Sequence, residues 1–226
     1  MPKILLSIER TKNNNNFGIH KSPPNNYMER IEFFFYFILI FVLGVCAYMY
    51  FSKDEFQLKC IVADVDGNKY CVREREKLQE AVNLLATVVQ KMEKFIAWLR
   101  ENHPDDERVK RLAANFNPKR VGETLPTSVY TAYSENKGEK TAFCLNRNSK
   151  KDNTVLIDEH TLTFVAIHEI AHDMSAKIGH KSEFWENFKF LLNEAKTAQI
   201  HEPRDYKESP QEFCGMSISD NPYYDL

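Results

Sequence analysis

The sequence predicts an α+β domain behind a single membrane-spanning helix. Three observations predict it: an uncharged apolar run near the N-terminus, two alternating stretches that suit β-hairpins, and segments whose apolar residues recur at helical spacing. At 226 residues the chain accommodates one domain with short appendages. Its formal net charge of −2 does not point to nucleic acid as a partner.

The apolar run, FFFYFILIFVLGVCAYMYF, covers residues 33–51 and carries no charge. As a helix its 19 residues would extend roughly 28 Å, close to the hydrocarbon thickness of a bilayer. A buried core helix is disfavoured because such helices seldom run this long without a polar residue. A cleavable signal peptide is disfavoured because the run starts late and lacks a small-x-small site. We therefore predict a transmembrane signal anchor over residues 32–52 that contacts the lipid bilayer through residues 33–51.

The segments on either side of the anchor differ in composition. Residues 1–31 contain NNNN and SPPNN and are expected to form a disordered tail, whereas residues 53–226 are expected to form the domain. Three basic residues lie within 20 positions on each side of the apolar run, so the positive-inside rule leaves the orientation open. The basic excess of the whole tail slightly favours a cytosolic tail with the domain across the membrane.

The first elements of the domain are predicted to be a hairpin and two helices. CIVADVDGNKYCV alternates around a DG turn and carries Cys60 and Cys71 on its two arms, where a disulfide is one option in an oxidising compartment. Apolar residues at helical spacing predict a helix over residues 76–101. DDERVKRLAANF predicts a second, shorter helix with an acidic start.

The second half of the domain is predicted to contain another hairpin and two more helices. Residues 119–130 are expected to be a loop, and TAYS and KTAFCL flank ENKG as a hairpin over residues 130–145. Asp158 can cap a helix carrying LTFVAIHEIAHDMSAKI, with Gly179 as its C′ residue. SEFWENFKFLLNEA predicts the last helix, and residues 203–226 are expected to be loop.

The stretch HEIAHDMSAKIGH carries the sequence's main chemical signal, because it places HExxH on a predicted helix. Residues four apart lie on one helical face, so His168 and His172 can hold one metal ion while Glu169 reaches the water beside it. This pattern predicts a Zn²⁺ site that hydrolyses peptide bonds, with Glu169 as the general base.

Catalytic zinc needs a third protein ligand, and His180 is the first candidate. It follows the expected helix end at Gly179, where the chain can turn back toward the metal. Glu194 on the next helix is the alternative ligand. A further alternative is that His180 is only a polar residue at the start of that helix.

Supporting roles at this site stay open among several residues. An oxyanion-stabilising donor could be His201, Arg204 or Tyr206, which follow the last predicted helix. Asp173 or Asp158 could orient a ligand histidine, although a helix cap is the simpler explanation for Asp158.

HEIAH followed by IGHKSEFWENFKFLL resembles the WLM and SprT-like zinc peptidases, which carry HExxH, a variable loop and a histidine shortly before a phenylalanine. NPKRVGETLPTSVYTAYSENKGEKTAFCLN and DYKESPQEFCGMSISDNPYY are similar to WLM-domain metallopeptidases encoded by large DNA viruses. The resemblance covers residues 55–226. It implies a compact zincin-like α+β domain with zinc on His168, His172 and His180, and with Glu169 as the base.

The resemblance also implies features outside the HExxH helix. FCLN and FCGM lie in the two other family-like segments, which suggests a disulfide between Cys144 and Cys214. The TAFCL strand would pair with an extended substrate, as in other zincins. Met216 is either core filler or a methionine beneath the zinc site. A single-pass protein of this kind is expected in a host or virion membrane.

The function expected from these observations is a membrane-anchored zinc metalloendopeptidase with a protein or peptide substrate. The alternative is a catalytically inactive structural or binding membrane protein, for instance of a virion, that keeps the zincin fold. The DNA-related role of cellular WLM and SprT relatives is not carried over. The first 52 residues hold +2 of the total −2, which leaves −4 for the domain, and phosphate binding needs a basic surface. No nucleic-acid partner is expected.

Overall fold

The computed structural model describes residues 26–51 and 58–225, and contacts divide the chain between Tyr50 and Phe51. The first unit contains helix α1 (Asn26–Phe51) except for its last residue. Its segment Ile31–Tyr50, 20 residues long, is apolar and long enough to cross a membrane, and its side chains are exposed. The expected tail lies outside the described residues up to position 25. Residues 26–31 belong to the helix, so the expected disorder was wrong there.

The second unit is an α+β domain, as predicted. In chain order its described α-helices and β-strands are β1 (Leu58–Val62), β2 (Lys69–Arg73), α2 (Leu78–Asn102), α3 (Glu107–Asn115), β3 (Val121–Glu123), β4 (Ala132–Glu135), β5 (Lys140–Phe143), α4 (Glu159–Met174), α5 (Ser182–Thr197), β6 (Gln211–Phe213) and β7 (Met216–Ile218). Strands β1 and β2 form one antiparallel hairpin and β6 and β7 another. The middle sheet has the order β3-β5-β4, with β3 parallel and β4 antiparallel to β5.

Helix α4 lies at the centre of the domain and contacts α2, α3, α5 and β4. Most of its side chains are buried, which explains why its sequence is apolar on nearly every face. The helix begins as predicted, because the Asp158 carboxylate accepts hydrogen bonds from the Thr161 backbone N–H (2.9 Å) and hydroxyl (2.7 Å).

Helix α4 ends at Met174, five residues before the predicted C′ position at Gly179, so that prediction was wrong. Side chains from other elements supply the donors that the last carbonyls of a helix require. The His172 carbonyl accepts from Lys137 Nζ (3.2 Å), and the next two accept from Asn115 Nδ2 (3.0 Å) and Arg111 Nη1 (2.8 Å). These donors allow the chain to leave the helix early and form the 175–181 loop, in which Gly179 has a φ of +79°.

The β4–β5 turn approaches the end of α4 so closely that it requires a glycine. Gly138 has a φ of +99°, and a Cβ there would lie 2.6 Å from the Asn115 carbonyl oxygen and 2.9 Å from Asp173 Oδ2. The neighbouring residue Lys137 can therefore reach the helix end with its side chain. This packing fixes β4 against α4, the helix that carries HExxH.

Strand β3 lies within residues 119–130, which were wrongly expected to be only a loop. It forms because Glu123 is buried between two arginines of the preceding segment. Its carboxylate accepts from the Arg73 backbone N–H (2.7 Å) and pairs with the Arg75 guanidinium. Arg73 Nε also donates to the Thr124 carbonyl (2.6 Å). This buried ion-pair network, which binds β2 to β3, has no signature in local hydrophobic periodicity.

The four cysteines of the domain form two disulfides, one within the predicted β1–β2 hairpin and one between distant parts of the chain. Cys60 and Cys71 lie directly opposite each other on β1 and β2 and are bonded. Cys144 and Cys214, the pair suggested by the resemblance, are also bonded and join the end of β5 to the β6–β7 turn. The expectation that residues 203–226 are only loop was therefore wrong, because β6 and β7 fold in that region.

Candidate metal centre

The three histidines singled out by the sequence lie together on one side of α4. His168 and His172 come from the helix and His180 from the 175–181 loop, and one ligand nitrogen of each lies within 4.8 Å of the others. The Nε2 atoms of His168 and His180 are 3.1 Å apart. Two nitrogens bound to one tetrahedral zinc ion would be separated by about 3.3 Å. The donor set and its spacing therefore fit a zinc ion with one position left for water.

The phenyl ring of Phe184 in α5 packs against all three imidazole rings. The phenyl ring is fully buried and lies 4.3 Å from the His172 ring, 4.6 Å from the His180 ring and 4.9 Å from the His168 ring, between centroids. Trp185 covers the other side of His180, with ring centroids 5.6 Å apart. The sequence pattern assigned both aromatic residues to a helical stripe, and their position four and five residues after His180 was the available signal.

Burial keeps the three imidazoles in the form that binds metal. It lowers the pKa of His168 to about 3 and that of His172 to about 4, and it lowers the pKa of His180 as well. Neutral imidazole has a free nitrogen lone pair, whereas imidazolium does not. The site is therefore available as a metal ligand set near neutral pH.

Glu169 is buried and lines the same cleft as the three histidines. Burial raises the pKa of its carboxyl group to about 8, with a further contribution from Asp173, while the backbone amide of Ser134 acts in the opposite direction. A bound dication would favour the carboxylate form instead. Glu169 thus places a buried carboxyl group beside the three histidines.

The alternative third ligand and the two carboxylates proposed as supporting residues make other contacts. Glu194 Oε2 is 3.0 Å from His103 Nε2, so it pairs with that histidine rather than joining the cluster. Asp158 caps the far end of α4. Asp173 accepts a hydrogen bond from the Ser134 hydroxyl and contacts no ligand histidine, so its assignment as an orienting carboxylate was wrong.

The predicted oxyanion donors do not line the cleft. His201 is buried against His160, with ring centroids 4.3 Å apart, and Tyr206 is buried against Phe164 at 4.8 Å. Arg204 is also absent from the lining. Tyr130 and Tyr133, which the sequence did not single out, line the cleft and are the phenols available to a bound substrate.

The cleft is an open groove of about 890 Å³ beside the histidines. Three parts of the chain line it: residues within the segment 125–137, three residues of α4 (His168, Glu169 and His172), and residues 178–180. The first of these parts contains β4, which is an edge strand of its sheet. The TAFCL strand, β5, is central and already paired on both edges, so the expectation that it receives a substrate was wrong.

Strand β4 presents free backbone groups on its outer edge. Thr131 O accepts from Cys144 N, which makes that pair hydrogen-bonded and fixes the alternation along the strand. Ala132 therefore directs its N–H and C=O groups away from β5, as does Ser134, whose backbone amide bonds to Glu169. Met216, assigned either to the core or beneath the zinc site, is half-exposed on β7, so both assignments were wrong.

Comparison with known proteins gives one informative similarity. No family model matches the sequence, and no solved structure matches it. Uncharacterized protein R325 of Acanthamoeba polyphaga mimivirus is 25% identical over 186 residues, which cover 80% of this chain and 93% of that protein. The chain is thus similar over most of its length to a viral protein whose name states no activity.

Proposed function

We propose that this protein is a membrane-anchored zinc-dependent metalloendopeptidase. The observation that carries the proposal is the convergence of three uncharged imidazoles, from His168, His172 and His180, with the carboxyl group of Glu169 on the floor of one open cleft. A structural zinc site has no need of an additional carboxyl group that is not a ligand. A catalytic site needs both an open metal position and a proton acceptor.

Each residue of the site has its own role in the proposed hydrolysis of a peptide bond. A zinc ion held by the three histidines would supply Lewis acidity, acidifying water and polarising a carbonyl group. Glu169 accepts the proton of the attacking water and returns it to the leaving amine. Phe184 keeps the histidines in position, and a bound dication would favour the carboxylate form of Glu169, which is the form that accepts the water proton.

The substrate class is supported by the edge of β4. An extended peptide can add to this edge and bond to the outward backbone groups of Ala132, while its carbonyl groups face the site. Nucleic acid is not supported, because Lys137 is the one lysine or arginine among the residues that line the cleft, and its ammonium group is bonded to backbone carbonyls. A protein or peptide is therefore the proposed substrate.

The apolar helix α1 supports a location at a membrane. Its Ile31–Tyr50 segment, with no buried side chain, is proposed as the single-pass anchor of the enzyme in a host or virion membrane. The similarity to a mimivirus protein favours this setting. An anchored enzyme would encounter substrates that lie near the same membrane.

The test is proteolysis by the full-length chain in detergent micelles with stoichiometric zinc. Cleavage of a mixed, denatured protein substrate is expected, and Glu169→Gln should lower the rate by at least about 10²-fold without loss of bound zinc. Equal inertness of the zinc-loaded parent and variant would reject the enzyme and favour the inactive structural or binding protein. His180→Ala should lose zinc, while Glu194→Ala should keep it; the reverse pattern would reassign the third ligand.

A further inference from the structure

The mouth of the cleft carries the most exposed apolar side chains of the domain. Of the large apolar residues described between positions 58 and 225, the highest exposed fractions are those of Val129 (86%), Ile178 (85%) and Tyr130 (66%). All three line the cleft that contains Glu169. They are referred to below as the apolar rim. Single apolar residues are ordinary on a surface, but a concentration at the opening of one cleft marks a binding surface.

Two lysine side chains bond to the backbone of the segments that carry the apolar rim. Lys150 Nζ donates to the carbonyls of Ser128 (2.8 Å) and Val129 (2.7 Å). Lys137 Nζ donates to the carbonyl of the residue before Ile178 (2.8 Å). The loops are therefore positioned without burial of the rim side chains. A surface that is held in place while its apolar groups stay in water is preorganised for a ligand that covers them.

Two kinds of contact are available in the same groove, and together they define the ligand. The outer edge of β4 offers backbone hydrogen bonds at Ala132, which suit an extended peptide chain. The apolar rim stands beside that edge and offers contact area for a large apolar side chain. Tyr130 also packs toward Tyr133 of β4, with ring centroids 6.4 Å apart, which connects the rim to the strand. A lipid surface would use the rim but has no use for the strand edge.

We propose that the cleft binds an extended peptide with a bulky apolar side chain beside the scissile bond, packed against Val129, Tyr130 and Ile178. This inference rests on the proposed peptidase function and names the substrate class of the same site. Selectivity follows from the area that the side chain removes from water. Each substitution that removes the apolar surface of a rim residue is expected to lower kcat/KM about tenfold for apolar sites, with little effect elsewhere.

The experiment maps cleavage sites made by the zinc-loaded, full-length chain in nanodiscs acting on a library of proteome-derived peptides. Sites should be enriched in Leu, Ile, Phe, Met or Tyr at one position next to the cleaved bond. Val129→Ser, Tyr130→Ser and Ile178→Ser should reduce that enrichment and leave bound zinc unchanged. Val155→Ser is the matched control, since Val155 is exposed but does not line the cleft. Glu169-dependent cleavage without apolar enrichment, or enrichment that the rim variants keep, would overturn the inference while leaving the peptidase intact.

A binding arm separates failure of this inference from failure of the proposed function. The Glu169→Gln chain with zinc should bind a fluorescent Leu- and Phe-containing peptide about tenfold more tightly than a Ser-substituted peptide, and Ile178→Ser should remove the difference. Equal binding of the two peptides would overturn the inference even if no peptide is cleaved. The alternative occupant of the apolar rim, a lipid surface, is tested with Ile178→Trp in nanodiscs that contain brominated lipids. Strong quenching of the tryptophan fluorescence relative to the parent chain would place the rim in the bilayer and reject the peptide assignment.

Discussion

The imidazole ring of His172 stacks on the phenyl ring of Phe184, with centroids 4.3 Å apart and 28° between the planes. The rings of His168 and His180 pack against the same phenyl group. One buried residue of α5 therefore sets the relative positions of three imidazoles that come from a helix and from a separate loop. Because metal affinity depends on how well ligands are held before binding, this contact has a measurable consequence.

Phe184→Leu should weaken zinc binding more than it weakens the fold. The leucine fills much of the volume but offers no flat face to the His172 ring, so we expect a loss of about 10–100-fold in zinc affinity, measured by competition with a colorimetric chelator. Phe95→Leu is the matched control, because Phe95 is equally buried in α2 and contacts no ligand histidine. If both variants lose stability alike and neither changes zinc affinity, Phe184 is only a core residue.

Lys137→Met should also lower zinc affinity, by about tenfold, because it removes the donor that connects the end of α4 to the 175–181 loop. Lys137 Nζ bonds to the carbonyls of His172 (3.2 Å) and Ser175 (2.7 Å), and the loop carries His180. Lys137→Arg should restore part of the affinity. Lys150→Met removes similar bonds to the carbonyls of Ser128 and Val129 and should leave zinc affinity unchanged. Equal losses of zinc affinity in the two methionine variants would contradict the role of Lys137 in positioning His180.

Removal of the two disulfides should destabilise the domain unequally. Cys144 and Cys214 are 70 residues apart and buried, so replacing both with Ala should cost roughly 4 kcal/mol in the free energy of unfolding. Cys60 and Cys71 are 11 residues apart and less buried, and the same change should cost roughly 3 kcal/mol. Guanidinium denaturation of the oxidised chain and both variants measures the difference, and a larger loss for the Cys60–Cys71 pair would contradict it.

His201 should make the domain sensitive to acid. Burial, with help from His160, lowers the pKa of His201 to about 3, whereas an unfolded histidine titrates near 6.5. Between these two pKa values the unfolded state binds a proton at this histidine and the folded state does not. The contribution of His201 to the free energy of unfolding is therefore fully present above pH 6.5 and is lost as the pH is lowered toward 3. The slope from this group is about 1.4 kcal/mol per pH unit.

His201→Gln should make the free energy of unfolding fall less steeply as the pH is lowered. The decrease in slope should correspond to about one proton fewer taken up on unfolding. Thermal unfolding from pH 7 to pH 4, with chelator present in all samples, removes zinc release from the comparison. His168 and His172 contribute in the same direction, so the parent chain should show a steeper loss than the variant rather than a loss unique to it. Identical pH profiles for parent and variant would mean that His201 is protonated in the folded domain.

Much of the architecture was readable from local patterns, because each pattern reports a local cause. Asp158 was identified as a helix cap from its place before an apolar helical run, and the structure confirms it. The α+β class, the two predicted hairpins and the apolar helix follow from periodicity in the same way. The histidine cluster follows from the i, i+4 geometry and from the short loop before α5.

The errors lie where distant residues decide local structure. Helix α4 ends at Met174 because Arg111, Asn115 and Lys137 supply donors to its last carbonyls, and none of them is near in sequence. Strand β3 exists because Glu123 is held by arginines some 50 positions earlier. The position of β4 at the sheet edge depends on the parallel pairing of β3 with β5, which no alternation pattern encodes.

The covalent pairing of Cys60 with Cys71 affects how the domain would bear mechanical load. A pulling force on the chain upstream of Leu58 enters at β1, whose backbone hydrogen bonds to β2 would otherwise open one after another. The disulfide transfers that force directly to β2, and the burial of Glu123 with Arg73 and Arg75 passes it on to the middle sheet. Tension would thus reach the well-packed interior without first peeling away the outermost strand.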